Sequence, residues 1–182
     1  SVLLWSALGL LMLGLVMVYS ASIAMAEGSK FTGHQSTYFL MRHGFYVGVG
    51  MIAAVVAFQA PLRVWQQAAP WLFIGGFTLL ILVLIPHVGR SVNGAQRWLP
   101  LGMVNLQPSE LMKLFAVLYA ADYTSRKLSD MGSFRRGFLP MAGVMLMVGA
   151  LLLREPDFGA FVVIVAIAIG ILFLGGINAR LF

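Results

Sequence analysis

Two ionisable side chains, Glu110 and Lys113, stand three residues apart in a stretch that is otherwise apolar through Leu114, Phe115, Val117 and Leu118. That spacing sets a carboxylate and an ammonium one turn apart on the same face of a helix. Within a membrane such groups are costly, so they face a bundle interior or a polar cavity and mark either a fastening or a functional site. Glu110 has a structural reason to be there. In Gln107-Pro108-Ser109-Glu110 the proline suits a first helical position, Gln107 then caps the helix, and Glu110 falls in the first turn, where the helix dipole favours a carboxylate. Lys113 opposes that dipole, and Glu110 is its natural partner. The pair is expected to point inward, either stapling helices together or setting Lys113 against an anionic substrate group in a polar cavity.

Two further constellations offer polar chemistry. Arg90, Arg97 and Trp98 lie in the segment from Gly89 to Pro100, where Asn93-Gly94 is a turn dipeptide and Gly89, Pro100 and Gly102 argue against regular structure. Guanidinium groups suit phosphate or carboxylate, and an indole suits a sugar face; equally, the arginines can reach lipid phosphates and the indole can anchor at the interface. Arg154-Glu155-Pro156-Asp157-Phe158-Gly159 is the second constellation. Asp157 there either caps the helix that follows or, with Glu155, extends the polar site of the other two segments.

The elements that position these groups follow from composition. Of 182 residues 60% are hydrophobic and 10% charged, with a mean hydropathy of +0.93, so the solvent is a bilayer. Long apolar runs without strand-like alternation exclude a barrel and leave an all-α polytopic membrane protein. Six segments are expected to span, as one transmembrane domain: Val2–Ser22, Gly44–Ala60, Ala68–Pro86, Pro108–Tyr123, Phe138–Leu153 and Phe158–Ile177. The fourth is short against the about 20 residues a span needs, and loop charge decides for it. With the N-terminus inside, the dense cluster Arg126, Lys127, Arg135 and Arg136 falls on the inner side with Arg63 and Arg180, while Lys30, Arg42, Arg90, Arg97 and Arg154 fall outside.

Small residues mark expected helix contacts at Gly44 and Gly48, Gly75-Gly76 and Gly175-Gly176. The net charge of +6 is dispersed between apolar runs, which argues against nucleic acid. Cysteine is absent, and His34, His43 and His87 lack ligand-like spacing. Both ends of the chain read as cuts through a longer protein.

The pattern Asn93-Gly94-Ala95 with Arg97-Trp98-Leu99, then Gln107-Pro108-Ser109-Glu110 and Lys113, then Pro156-Asp157 with Gly159, resembles the signature of the shape, elongation, division and sporulation family over its first six helices. Within the family the chain is more similar to the division members than to the elongation members. The resemblance implies a bundle of about ten helices and a peptidoglycan glycosyltransferase of the bacterial inner membrane, at the division septum. It further implies that the enzyme polymerises the undecaprenyl-linked precursor lipid II with a class B penicillin-binding protein and other division-complex membrane proteins as partners. The rival readings are a lipid II flippase and a structural scaffold.

The family's acidic catalytic residue is expected beyond Phe182, so the six-helix piece alone is expected to be inactive. Arg97, Trp98, Glu110, Lys113 and Asp157 carry over as groups that hold substrate or shape the cavity, with Arg90, Gln107, Ser109 and Glu155 behind them. No closed metal site is legible, although a divalent cation on the substrate pyrophosphate suits the implied chemistry.

Overall fold

The computed structural model describes residues 2–28, 35–92, 94–101 and 104–176. Sequence features at Lys30, His34, Asn93, Gly102, Ile177 and Arg180 lie outside the described residues. The chain divides into two compact units, residues 1–61 and 62–182.

The first unit is a pair of packed helices, α1 (Val2–Gly28) and α2 (Tyr38–Gln59). Each runs past the segment that hydropathy marks, by six residues at the end of α1 and six at the start of α2. A helix need not stop where hydrocarbon stops. Twenty-seven residues make α1 about 40 Å long at 1.5 Å per residue, longer than the about 30 Å of hydrocarbon it would cross. The added turn of α2 carries Arg42, whose guanidinium lies 5.8 Å from the Tyr46 ring, a pairing suited to a membrane interface. Nothing stands within 4 Å of a side chain placed at Gly44 or Gly48, so the expected small-residue contact on α2 is not made among the described residues.

Pro61 separates α2 from the second unit. Ala60 is held extended (φ −72°, ψ 126°), as the residue before a proline must be, and α3 (Leu62–Leu84) starts directly after it. Arg63, Gln66 and Gln67 therefore belong to α3 and not to a loop. The segment after α3 is also more regular than expected. It forms an antiparallel sheet of β1 (Arg90–Val92), β2 (Ala95–Leu101) and β3 (Val104–Leu106) in sequential order, with Arg90 opposite Trp98 and Leu99 opposite Leu106. Gly94, at φ 79°, lies at the β1–β2 corner. Gln96 fastens the sheet to the end of α3, donating to the carbonyls of Ile85 (3.0 Å) and Gly89 (3.3 Å).

α4 (Pro108–Arg126) is the packing centre of this unit, lying against α3 and α6 (Phe158–Leu174) and touching α5 (Leu139–Arg154) and β2. Met112, Ala116 and Ala120 recur every fourth residue and are fully buried, which puts one narrow, small-residue face of α4 into the core. This is why its hydropathy is modest: protein covers much of it. Four helical stretches are long and apolar enough to cross a bilayer, Val2–Gly28, Tyr38–Gln59, Leu62–Leu84 and Phe134–Arg154, the last formed by a wide turn (Phe134–Phe138) running into α5. α6 is shorter but apolar all round, and Ala160, Ile164, Ala168 and Leu172 form its buried stripe.

Close helix approach depends on glycine at three places. A Cβ at Gly76 would come within 2.8 Å of the Phe115 ring on α4, and one at Gly149 within 2.6 Å of the Phe161 ring on α6. Gly175 likewise receives the Thr124 methyl, whereas Gly75 and Gly176 face open space. The expected contacts thus hold for one residue of each glycine pair on α3 and after α6.

Candidate functional site

Three chain segments meet at the Pro108 end of α4. Gln107 is extended (φ −103°, ψ 107°) and occupies the N-cap position, with Pro108 opening the helix, as the order Gln-Pro-Ser-Glu implied. Ser109 in that first turn is fully buried. Its hydroxyl donates to Asp157 Oδ2 at 2.8 Å, and the Gln107 amide donates to the same oxygen at 3.3 Å and to Ser109 Oγ at 3.0 Å. Asp157 Oδ1 accepts the Ala160 N–H at 3.2 Å and so caps α6. The two uses for Asp157 are therefore not alternatives. One oxygen caps its own helix, and the other ties that helix to the start of α4.

Arg97 closes the arrangement from β2. Its Nε donates to the Glu155 carbonyl at 3.0 Å and its Nη2 to the Pro156 carbonyl, so the guanidinium grips the backbone of the α5–α6 connection and not a carboxylate. Two of its five N–H groups are spent in this way.

The Glu155 side chain is left in an unusual state. It is fully buried, and neither carboxyl oxygen has a hydrogen-bond partner among the described residues. An unpaired buried carboxylate is very expensive, and the group answers by keeping its proton. Burial, reinforced by the charge of Asp157 and only partly opposed by Arg97, pushes the Glu155 carboxyl up to about 8. Asp157 moves the other way. Burial works to raise it, but the bonds from Ser109 and Ala160, the Arg97 charge and the Gln107 amide together hold it below the usual carboxylate range. One neighbour is thus neutral and the other ionised.

Glu110 and Lys113 form the expected pair, with Oε1 and Nζ 2.8 Å apart. Glu110 is 59% exposed and Lys113 28%, and the bridge lies within one helix, so it joins no two helices. The side chains extend along the open side of α4 because its core stripe is already filled by Met112, Ala116 and Ala120. Lys113 stands one turn on from Ser109, about 40° round the helix. Arg90 and Trp98 are a cross-strand pair on the sheet. Adjacent strand residues point to opposite faces, so Trp98 faces away from the side on which Arg97 reaches the α5–α6 connection.

The nine expected residues therefore fall into three groups: a hydrogen-bonded clip of Arg97, Gln107, Ser109, Glu155 and Asp157, an ion pair on α4, and an Arg–Trp pair on the sheet. Among the described residues no three His, Asp or Glu side chains converge as a metal-binding group would. At the other end of α3 and α4, Arg126 was expected only as one of the inner basic cluster, and its bridge to Asp122 and the neighbouring Gln66 and Gln67 were not anticipated. The i,i+4 spacing of Asp122 and Arg126 was the available signal.

Fold and site together define a helical integral membrane protein with a polar clip where two helix starts, a helix end and a small sheet converge. The chain belongs to the FtsW/RodA/SpoVE family of cell cycle proteins, which matches residues 1–182. It is 72% identical over 180 residues to a probable peptidoglycan glycosyltransferase FtsW of Aromatoleum aromaticum, covering 99% of this chain and 44% of that protein. A relative of the same description from Burkholderia thailandensis is 55% identical, again over 99% of this chain and over 39% of the relative. This chain thus spans less than half the length of these curated relatives. Among solved structures, it superposes with a TM-score of 0.71 and 28% identity on a chain of a peptidoglycan synthase complex that coordinates polymerization and crosslinking, covering 92% of this chain and 48% of that one. The rod shape determining protein RodA of Thermus thermophilus superposes with a TM-score of 0.64 and 29% identity, over 92% of this chain and 55% of RodA.

Proposed function

We propose that this chain serves a peptidoglycan glycosyltransferase of cell division, which polymerises lipid II into glycan strands beside a class B penicillin-binding protein. The relatives' descriptions support the activity, and the synthase complex supports the pairing of polymerisation with crosslinking. Six crossings with the N-terminus inside put the clip on the outer face, where the strands are needed; the septum is the matching location for a division enzyme.

The observation that carries this reading is the charge balance at the Pro108 end of α4. Arg97 and Lys113 stand at this end with Arg90 behind them on the sheet, and the negative charge near Arg97 is limited to Asp157 because Glu155 holds its proton below about pH 8. In the proposed reaction an acceptor hydroxyl attacks an anomeric carbon and a lipid pyrophosphate departs, so negative charge grows on the leaving oxygen. Fixed cations stabilise that charge best when they need no rearrangement to meet it. The clip fixes Arg97 through two backbone carbonyls, and a separate bridge to Glu110 holds Lys113, one turn on from Ser109. Trp98 offers a ring for a sugar or for the lipid. The acid or base that moves the acceptor's proton is not assigned to any of these residues.

The experiment is polymerisation of purified lipid II in detergent by the full-length protein with its penicillin-binding partner. Glycan polymer is the expected product. A flippase would make none, since detergent offers no bilayer to cross, and a scaffold would make none in any medium.

A further inference from the structure

The opposite end of α4 holds a cavity that none of this chemistry uses. It has a volume of about 370 Å³ and is lined by Arg63, Gln66, Gln67 and Pro70 of α3 and by Asp122 and Arg126 of α4. Asp122 and Arg126 follow Ser109 by 13 and 17 residues, about 20 to 26 Å along α4, most of the about 30 Å thickness of hydrocarbon, so cavity and clip lie toward opposite sides of the membrane.

The lining is built for an anion. Asp122 is 5% exposed, and its Oδ2 receives Arg126 Nε at 2.9 Å and Nη2 at 2.7 Å, which fixes the Arg126 guanidinium and leaves its other three N–H groups unspent by that bridge. Arg63 has no carboxylate partner among the described residues, so the cavity keeps one uncompensated positive charge. Arg63 also stands in the first turn of α3, where helix N–H groups lack helical acceptors and the dipole favours negative charge. Gln66 and Gln67 add carboxamides that both donate and accept. At about 30 Å³ per water the volume holds roughly a dozen waters, more than a single small ion requires.

What surrounds the opening selects the anion. Leu62 (87% exposed), Val64 (50%) and Trp71 (75%) flank the lining residues along α3. A soluble anion gains nothing from them, whereas acyl chains can lie along them while a headgroup enters the cavity. We propose that the cavity seats the phosphodiester headgroup of an acidic phospholipid, with Arg63 and Arg126 on the phosphate oxygens and Gln66 and Gln67 on the headgroup hydroxyls. Lipid of the leaflet opposite the clip thereby pins the α3–α4 contact on which the clip stands.

The test is native mass spectrometry of the detergent-purified full-length protein, titrated with dioleoylphosphatidylglycerol, dioleoylphosphatidylcholine and inorganic phosphate. The glycerol lipid should bind at least about tenfold more tightly than the choline lipid, and Arg63→Gln should remove that difference. Gln67→Leu, which changes no charge, should weaken the glycerol lipid several-fold and supports the same conclusion if Arg63→Gln does not fold. Equal binding of the two lipids, or an unchanged preference in the variants, overturns the proposal. Displacement of the glycerol lipid by millimolar phosphate overturns the lipid assignment in favour of a soluble anion.

Discussion

Ser109 and Asp157 are 48 positions apart and meet at 2.8 Å, joining the first turn of α4 to the cap of α6. Both are buried, so this hydrogen bond to a carboxylate is formed out of water and should contribute about 1.5–3 kcal/mol. Ser109→Ala is expected to lower stability by that amount and to raise the Asp157 pKa by removing a donor. Thermal unfolding in detergent reads the first effect. A variant that melts with the parent would mean that Gln107 and the Ala160 N–H suffice to hold Asp157.

Glu155 gives a pH dependence whose sign is fixed by burial. Unfolded, the carboxyl ionises near the ordinary glutamate value; folded, it ionises at about 8. Between these values the folded chain binds the extra proton, so stability declines as pH rises through this window and levels off above it. Glu155→Gln keeps the shape of the protonated acid and cannot ionise. Its melting temperature should match the parent at about pH 5 and exceed it at about pH 8, by an amount equivalent to a few kcal/mol. Parallel melting curves across that range would show that the carboxyl is not held neutral.

How much of this could be read from residues alone varies with the kind of contact. Gln107, Pro108 and Glu110 announce a helix start through local chemistry, and the Glu110–Lys113 bridge follows from spacing, so both were legible. The direction of that bridge was not, because it depends on which face of α4 the core claims. Arg97 was legible as a guanidinium beside an indole, but its partners are backbone carbonyls, which carry no side-chain identity. Gln66 and Gln67 were hidden by the same hydropathy window that found α3, since a helix can extend past its apolar part at little cost. Glu155 stood in view beside Asp157, yet only tertiary burial separates a neutral acid from an ionised one.

Lys113→Met separates substrate handling from stability. The bridge to Glu110 is intrahelical and more than half exposed on the glutamate side, a setting in which such pairs contribute about 0.3–0.5 kcal/mol. Losing it should leave insertion and melting nearly unchanged. Loss of polymerisation by the full-length variant would then be an effect on the reaction. Parent-rate polymerisation of lipid II would remove Lys113 from the proposed site.

Arg97 and Trp98 are neighbours with different expected phenotypes. Arg97 holds the Glu155 and Pro156 carbonyls together, so Arg97→Ala should release the α5–α6 connection and lower both stability and product formation. Arg97→Lys keeps the charge but not the planar fork, and should fall between the parent and the alanine variant in melting temperature. Trp98 is half-buried on the sheet and shares no hydrogen bond with the clip, so Trp98→Ala should weaken product formation more than folding. Measuring melting and polymer yield for all three variants orders these effects. If Arg97→Ala melts with the parent while Trp98→Ala unfolds early, the sheet is held by its indole face, and the guanidinium contacts are incidental to the frame.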